Sequence, residues 1–144
     1  MKAQMRQLSL ISVFVLAVAL TGCTQAQLGA AGCTGSTENF HRSSGTSTVM
    51  HGKIRFVCTG VSLTSHSLSS QVQKYVNGAW VNVGSTKYEP RFALSAGVTS
   101  TFYTASLPCA LGTYRYWAQA TGTGNGYTQS TGKYYSNTSV NPCG

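Results

Sequence analysis

Aspartate is absent from this sequence, and glutamate occurs only at Glu38 and Glu89. Glycoside hydrolysis usually needs a carboxyl on either side of the scissile bond, so a single pairing is possible. A Ser-His-Asp arrangement has no Asp, and a glutamate would have to replace it. No C-x-x-C occurs, which removes the commonest thiol metal and redox motif. Glu38-Asn39-Phe40-His41 has the E-x-x-H spacing that holds metal on bundle helices, but the segment does not read as a helix. His41, His51 and His66 could meet around zinc, yet nothing in their spacing requires it, and each reads as a lone polar residue. The expectation is a protein that is not an enzyme and holds no metal or cofactor.

Long apolar runs are also scarce. The one clear case is residues 8–20 (LSLISVFVLAVAL), preceded by Lys2 and Arg6. It is short for a bilayer span, which takes about 20 apolar residues. A basic start, a short apolar stretch and small residues at its end predict a cleavable export signal over residues 1–22. The run closes on Leu20-Thr21-Gly22-Cys23, which resembles the lipobox of bacterial lipoproteins. The resemblance implies a diacylglyceryl group on Cys23 and a lipid-anchored product on the extracytoplasmic side of a membrane. Thr24 after the cysteine then implies outer-membrane sorting in a two-membrane bacterium. The alternative is cleavage after Ala26, releasing a soluble secreted protein. Residues 23–32 read as a small, polar tether, and residues 33–144 as one domain.

Charged residues make up only 8% of the chain. Without Lys2 and Arg6, eight basic residues face two carboxylates, a net charge of +6. A basic surface outside the cell favours anionic envelope polymers, lipid head groups or acidic glycans, although such charge also serves solubility. Nucleic acid is not expected as a partner of an exported domain without a recognition motif.

Cysteine is present in a number that matters. With Cys23 set aside, Cys33, Cys58, Cys109 and Cys143 remain, an even set in an oxidising compartment. The midpoint of Cys33 and Cys58 falls beside Gly45, within Ser43-Ser44-Gly45-Thr46. The midpoint of Cys109 and Cys143 is Gly126, within Gly124-Asn125-Gly126. Both are turn signals. If each is a hairpin turn, Cys33 pairs with Cys58 and Cys109 with Cys143. An inter-sheet Cys58–Cys109 bridge, with Cys33–Cys143 joining the ends, is the competing connectivity. In the first register Glu38 faces Lys53, which predicts a surface ion pair.

Helical periodicity is missing after residue 32. Short β-rich runs alternate with Gly, Ser and Asn instead, which predicts an all-β chain. Residues 34–42 and 53–58 are candidate strands, and residues 60–70 read as a loop or edge strand. Residues 71–83 (QVQKYVNGAWVNV) form the strongest hairpin signal, because Asn77-Gly78 suits a two-residue type I′ turn. Tyr75 then faces Trp80, and Val72 faces Val83. Val72, Val76, Ala79, Val81 and Val83 share one face and are expected in the core. Strands at 88–94, 98–105, 112–120 and 133–140 follow, with Pro90 marking an edge or a bend. About seven strands with regular turns predict an Ig-like β-sandwich with two disulfides. The stretch LGTYRYWAQATGTGNGYTQS resembles the last two strands of fibronectin type III or related bacterial Ig-like domains. That resemblance implies a fold and no activity. A small barrel is the alternative.

The Cys109–Cys143 register places Trp117 opposite Tyr135, Gln119 opposite Lys133 and Arg115 opposite Asn137. Tyr114, Tyr116, Ala118, Ala120 and Tyr134 then form the core face. In an Ig-like sandwich both aromatic pairs, Tyr75/Trp80 and Trp117/Tyr135, lie on one outer surface beside Arg115 and Lys133. These six residues are the candidate ligand-binding face, suited to a glycan or protein partner with acidic groups. The plainer role is mutual support of the hairpins. The expected function is a bacterial envelope lipoprotein with a binding or structural β-sandwich. A secreted inhibitor or immunity-type protein acting on a partner enzyme, with contacts from loops such as 121–128, is the second reading.

Overall fold

The computed structural model describes residues 25–28 as backbone and residues 32–144 in full. The expected export signal and Cys23 lie outside the described residues.

No helix occurs among the described residues. The strands are β1 (Gln25–Leu28), β2 (Cys33–Thr37), β3 (His41–Arg42), β4 (Val49–His51), β5 (Lys53–Cys58), β6 (Ser65–Val76) and β7 (Ala79–Arg91). They continue as β8 (Thr99–Tyr103), β9 (Leu107–Pro108), β10 (Thr113–Gly124), β11 (Tyr127–Ser130), β12 (Tyr134–Tyr135) and β13 (Ser139–Val140). Every strand pairing is antiparallel. One sheet runs β1-β2-β5-β8 and the other β11-β10-β6-β7, with β12 and β13 also on β10. A small ladder, β3-β4-β9, closes one end. The main strands β2, β5 and β8 face β6, β7, β10 and β11, the division of an Ig-like sandwich.

Alternation in the sequence explains the two inner faces. Ile54, Phe56 and Cys58 of β5 are buried, as are Tyr114, Tyr116, Ala118 and Ala120 of β10. Phe102 of β8 and Leu68 and Val72 of β6 complete a shared core. Tyr116 reaches across it. Its hydroxyl lies 2.6 Å from the Glu38 carbonyl and 2.7 Å from the Lys53 carbonyl of the opposite sheet. The ring lies so close to Gly52 that a Cβ there would overlap it. A polar tip is thus accommodated inside an apolar layer, as burial of a tyrosine demands.

Both expected disulfides are present, Cys33–Cys58 and Cys109–Cys143. Cys33 and Cys58 are direct partners in the β2–β5 ladder. The turn residues behave as their chemistry predicts. Asn77 and Gly78 have φ of 49° and 85°, and Asn125 and Gly126 have 51° and 79°. Tyr75 faces Trp80 and Val72 faces Val83.

Four features differ from the sequence reading. Residues 65–70 are neither loop nor edge: they begin β6, which lies between β10 and β7. Ser65, Ser67 and Ser69 take the positions that alternate with buried His66, Leu68 and Val72, while Ser70 is itself buried between Leu68 and Val72. The valine face is core only in part. Val72 is fully buried and Val83 packs on the core, but Val76 and Val81 are 40% and 47% exposed, because the hairpin tip outruns the facing sheet. Residues 79–91 form one long strand, which is an edge strand, as Pro90 suggested. Within the expected tether, Gln25–Leu28 pair with β2 as an added edge strand.

A bulge separates the two halves of the β6–β7 ladder, between Ser70 and Val72. Gln71 fills it. Its amide nitrogen lies 2.9 Å from the Val83 carbonyl and 3.1 Å from that of Val72, and its oxygen accepts from the Thr86 hydroxyl at 2.6 Å. A polar side chain in the interior is stable when its donors and acceptor are used in this way.

Candidate functional site

The outer face of the β11-β10-β6-β7 sheet is built from positions that alternate with the core. On β10, Arg115 and Trp117 point away from buried Tyr114, Tyr116 and Ala118. On β6 and β7, Gln73, Tyr75, Trp80 and Asn82 share that side, and β12 adds Tyr135 opposite Trp117. All six expected site residues come together. Tyr75 and Trp80 have ring centroids 5.2 Å apart. The Arg115 guanidinium lies 4.2 Å from the Trp80 ring and 4.5 Å from the Tyr135 ring. The Lys133 ammonium lies 4.3 Å from the Trp117 ring. These separations are those of cation–π contacts. Gln73 accepts from Arg115 Nε at 2.9 Å and donates to Asn82 Oδ1 at 3.0 Å.

The register beyond Trp117 differs from the expected one. Gln119 bonds Ser130 at 3.0 Å instead of facing Lys133, because the β10–β11 ladder is offset by one residue from the β10–β12 ladder. The offset falls at Thr131 and Gly132, where Gly132 has φ of 71°. That glycine lets the chain turn and brings Lys133 over Trp117. Gln73 was legible as a member of this face, but its role in holding Arg115 depends on the β6–β10 pairing.

Neither carboxylate reaches this surface. Glu38 pairs with Arg55 at 2.8 Å and with Lys53 at 3.6 Å, which includes the expected ion pair. Glu89 pairs with Lys87 at 3.3 Å and with Arg91.

The histidines divide into two places. His41 and His51 are register partners with ring centroids 5.2 Å apart. His66 is buried elsewhere, flanked by Phe56 and Phe102. Its Nδ1 donates to the Phe92 carbonyl at 2.8 Å, and Ser100 Oγ lies 2.9 Å from Nε2. Burial lowers the His66 pKa and Arg91 lowers it further, against the bond to Phe92. Burial also lowers that of His51, helped by the charges of His41, Lys87 and Lys53. Among the described residues no three His, Cys, Asp or Glu side chains cluster closely enough to hold a metal.

A cleft of about 490 Å³ opens where β3, β4, β5, β7 and β8 meet; its walls include Glu38, His41, His51, Lys53, Lys87 and Tyr103. Lys87 lies just before the strand expected over residues 88–94; as the partner of Ser70 it continues the inward side of β7 that Val83 begins.

The fold and these two surfaces define a disulfide-bonded all-β sandwich. No protein-family model, characterised protein or solved structure matches the chain.

Proposed function

We propose that this protein is a bacterial envelope lipoprotein, anchored through Cys23, whose β-sandwich binds an acidic glycan or envelope polymer with its aromatic outer face. The observation that carries the binding reading is a pair of cations, Arg115 and Lys133, seated on aromatic rings with no carboxylate beside them. An arginine stacked on rings has its hydrophobic faces covered and its edge turned to partners, an arrangement suited to planar acidic groups. Tyr75 and Tyr135, 47% and 39% exposed, add apolar area with polar tips on which sugar rings can stack. The anchor rests on the lipobox-like Leu20-Thr21-Gly22-Cys23 alone.

Affinity electrophoresis through a uronic-acid polysaccharide, with a neutral glucan as control, tests the face. Retardation by the acidic polymer that falls on Arg115→Gln and on Trp117→Ala, with thermal midpoints within a few degrees, is the expected result. Unchanged retardation in folded variants would leave the rings with a purely structural role. Mass spectrometry of the N-terminal peptide of cell-derived protein tests the anchor: a diacylglyceryl adduct on Cys23 supports it, and an unmodified N-terminus beyond Ala26 overturns it.

A further inference from the structure

The cleft at the open edge of the sandwich shares no residue with the aromatic face. Five strands contribute to it. His41 comes from β3, His51 from β4, Lys53 from β5, Lys87 from β7 and Tyr103 from β8. The only acidic group on its walls is Glu38, and that carboxylate is engaged by Arg55 at 2.8 Å and Lys53 at 3.6 Å. Lys87 leans on Glu89 at 3.3 Å, but Glu89 also serves Arg91. Cations therefore dominate the interior of the cleft, and the lowered His51 pKa has that same origin after burial.

His41 is held in a useful orientation. A carbonyl can only accept, so its Nδ1 is the protonated nitrogen that donates to Asn39 at 2.7 Å. Nε2 carries a lone pair in the neutral ring and becomes a donor on protonation. His51 meets His41 edge to face and Tyr103 at a tilt, at 5.2 and 4.9 Å between centroids. Two ammonium groups and two imidazoles, reached from several directions, suit a tetrahedral dianion better than a single carboxylate. A cleft of about 490 Å³ is far larger than an ion and falls in the range of small-molecule sites. The rest of its wall is hydroxyl-rich, with Ser43, Ser44, Thr104 and Ser106.

We infer that this cleft binds a phosphorylated sugar, its phosphate held by Lys53, Lys87, His41 and His51 and its ring lying against Tyr103 and the serine hydroxyls. An anion there stabilises a protonated His51, whose ring burial and the neighbouring cations otherwise keep neutral, so binding strengthens as pH falls. Groups facing His51 are His41, Lys53, Lys87, Tyr103 and Glu38; the charges of His41, Lys87 and Lys53 disfavour its protonation in the free cleft, and a bound anion offsets them.

The test is a proton NMR titration of the three histidine ring signals with glucose-6-phosphate, at about pH 5.5 and about pH 7.5. Glucose and acetate serve as controls. The His41 and His51 signals should move saturably with glucose-6-phosphate, with higher affinity at the lower pH. Lys87→Gln should weaken that binding about tenfold, since it removes a charge-assisted hydrogen bond. The His66 signal reports an intact core in the variant. Three results would overturn the inference: no saturable movement of the His41 and His51 signals, equal responses to glucose or acetate, or wild-type affinity in folded Lys87→Gln. Trp117→Ala should retain the response in full, so failure at the cleft and failure at the aromatic face are separately visible.

Discussion

His66 and Gln71 show how a single polar residue can govern stability from inside a β-sandwich. His66 is 5% exposed and has its folded-state pKa below its ordinary value of 6.5. The folded protein therefore prefers the neutral ring, and the unfolded chain takes up a proton first as pH falls. Stability contributed by this group is complete above about pH 6.5 and declines as pH drops from there through the lowered folded-state pKa. Urea midpoints measured between about pH 7.5 and about pH 5 should fall, and His66→Gln should flatten part of the slope. His51, whose pKa is also lowered, adds a share of the same sign. Gln71 makes a different case, because its buried amide lies within hydrogen-bond distance of the Val72, Val83 and Gly84 carbonyls at the bulge. Gln71→Ala should cost about 1–3 kcal/mol, the penalty for leaving buried polar groups unpaired, read as a shifted urea midpoint.

At the level of the strand, glycine placement decides what can pack. Gly52 lies where the Tyr116 ring passes between the sheets, and an added Cβ would collide with an aromatic ring that has no room to retreat. Gly52→Ala should destabilise by about 1–3 kcal/mol through overpacking, and Tyr116→Phe in the same background should not recover it. The hairpin turn at Asn77-Gly78 responds differently. Gly78 has open space around it, so Gly78→Ala costs only the positive φ, about 1 kcal/mol. Thermal melts of the two variants should separate crowding from backbone strain. Lys87, Glu89 and Arg91, directed inward along an edge strand and paired with one another, close the open side of the sandwich with charge. Charges placed this way also discourage pairing of β7 with a second chain.

For the whole molecule, the disulfides tie β2 to β5 and the C-terminal segment at Cys143 to Cys109 before β10. They span 25 and 34 residues in sequence. Removing either by paired Cys→Ser substitution should cost roughly 3–4 kcal/mol in the loop-entropy view, measured by urea unfolding under oxidising conditions. The pairing was legible because each loop is centred on a turn-forming glycine, and hairpin symmetry then dictates which cysteines meet. The six-residue aromatic face was legible for a related reason: alternation assigns side, and the Ig-like order assigns sheet. The cleft was not legible. It depends on where β7 lies relative to β3, β4 and β8, and sequence carries no signal for contacts between strands that are never ladder partners.

Local chemistry alone determined the all-β character, the positive-φ turns, the disulfide partners and the inward tyrosines of β10. Each is an interaction between near neighbours or within one hairpin. Tertiary structure decided the rest. It placed serine-rich residues 65–70 in the middle of a sheet, left Val76 and Val81 beyond the reach of the opposite layer, and slipped β11 by one residue against β12. Burial and register between distant segments depend on the length and position of the facing strands, and those are properties of the packed sandwich, not of any stretch of sequence.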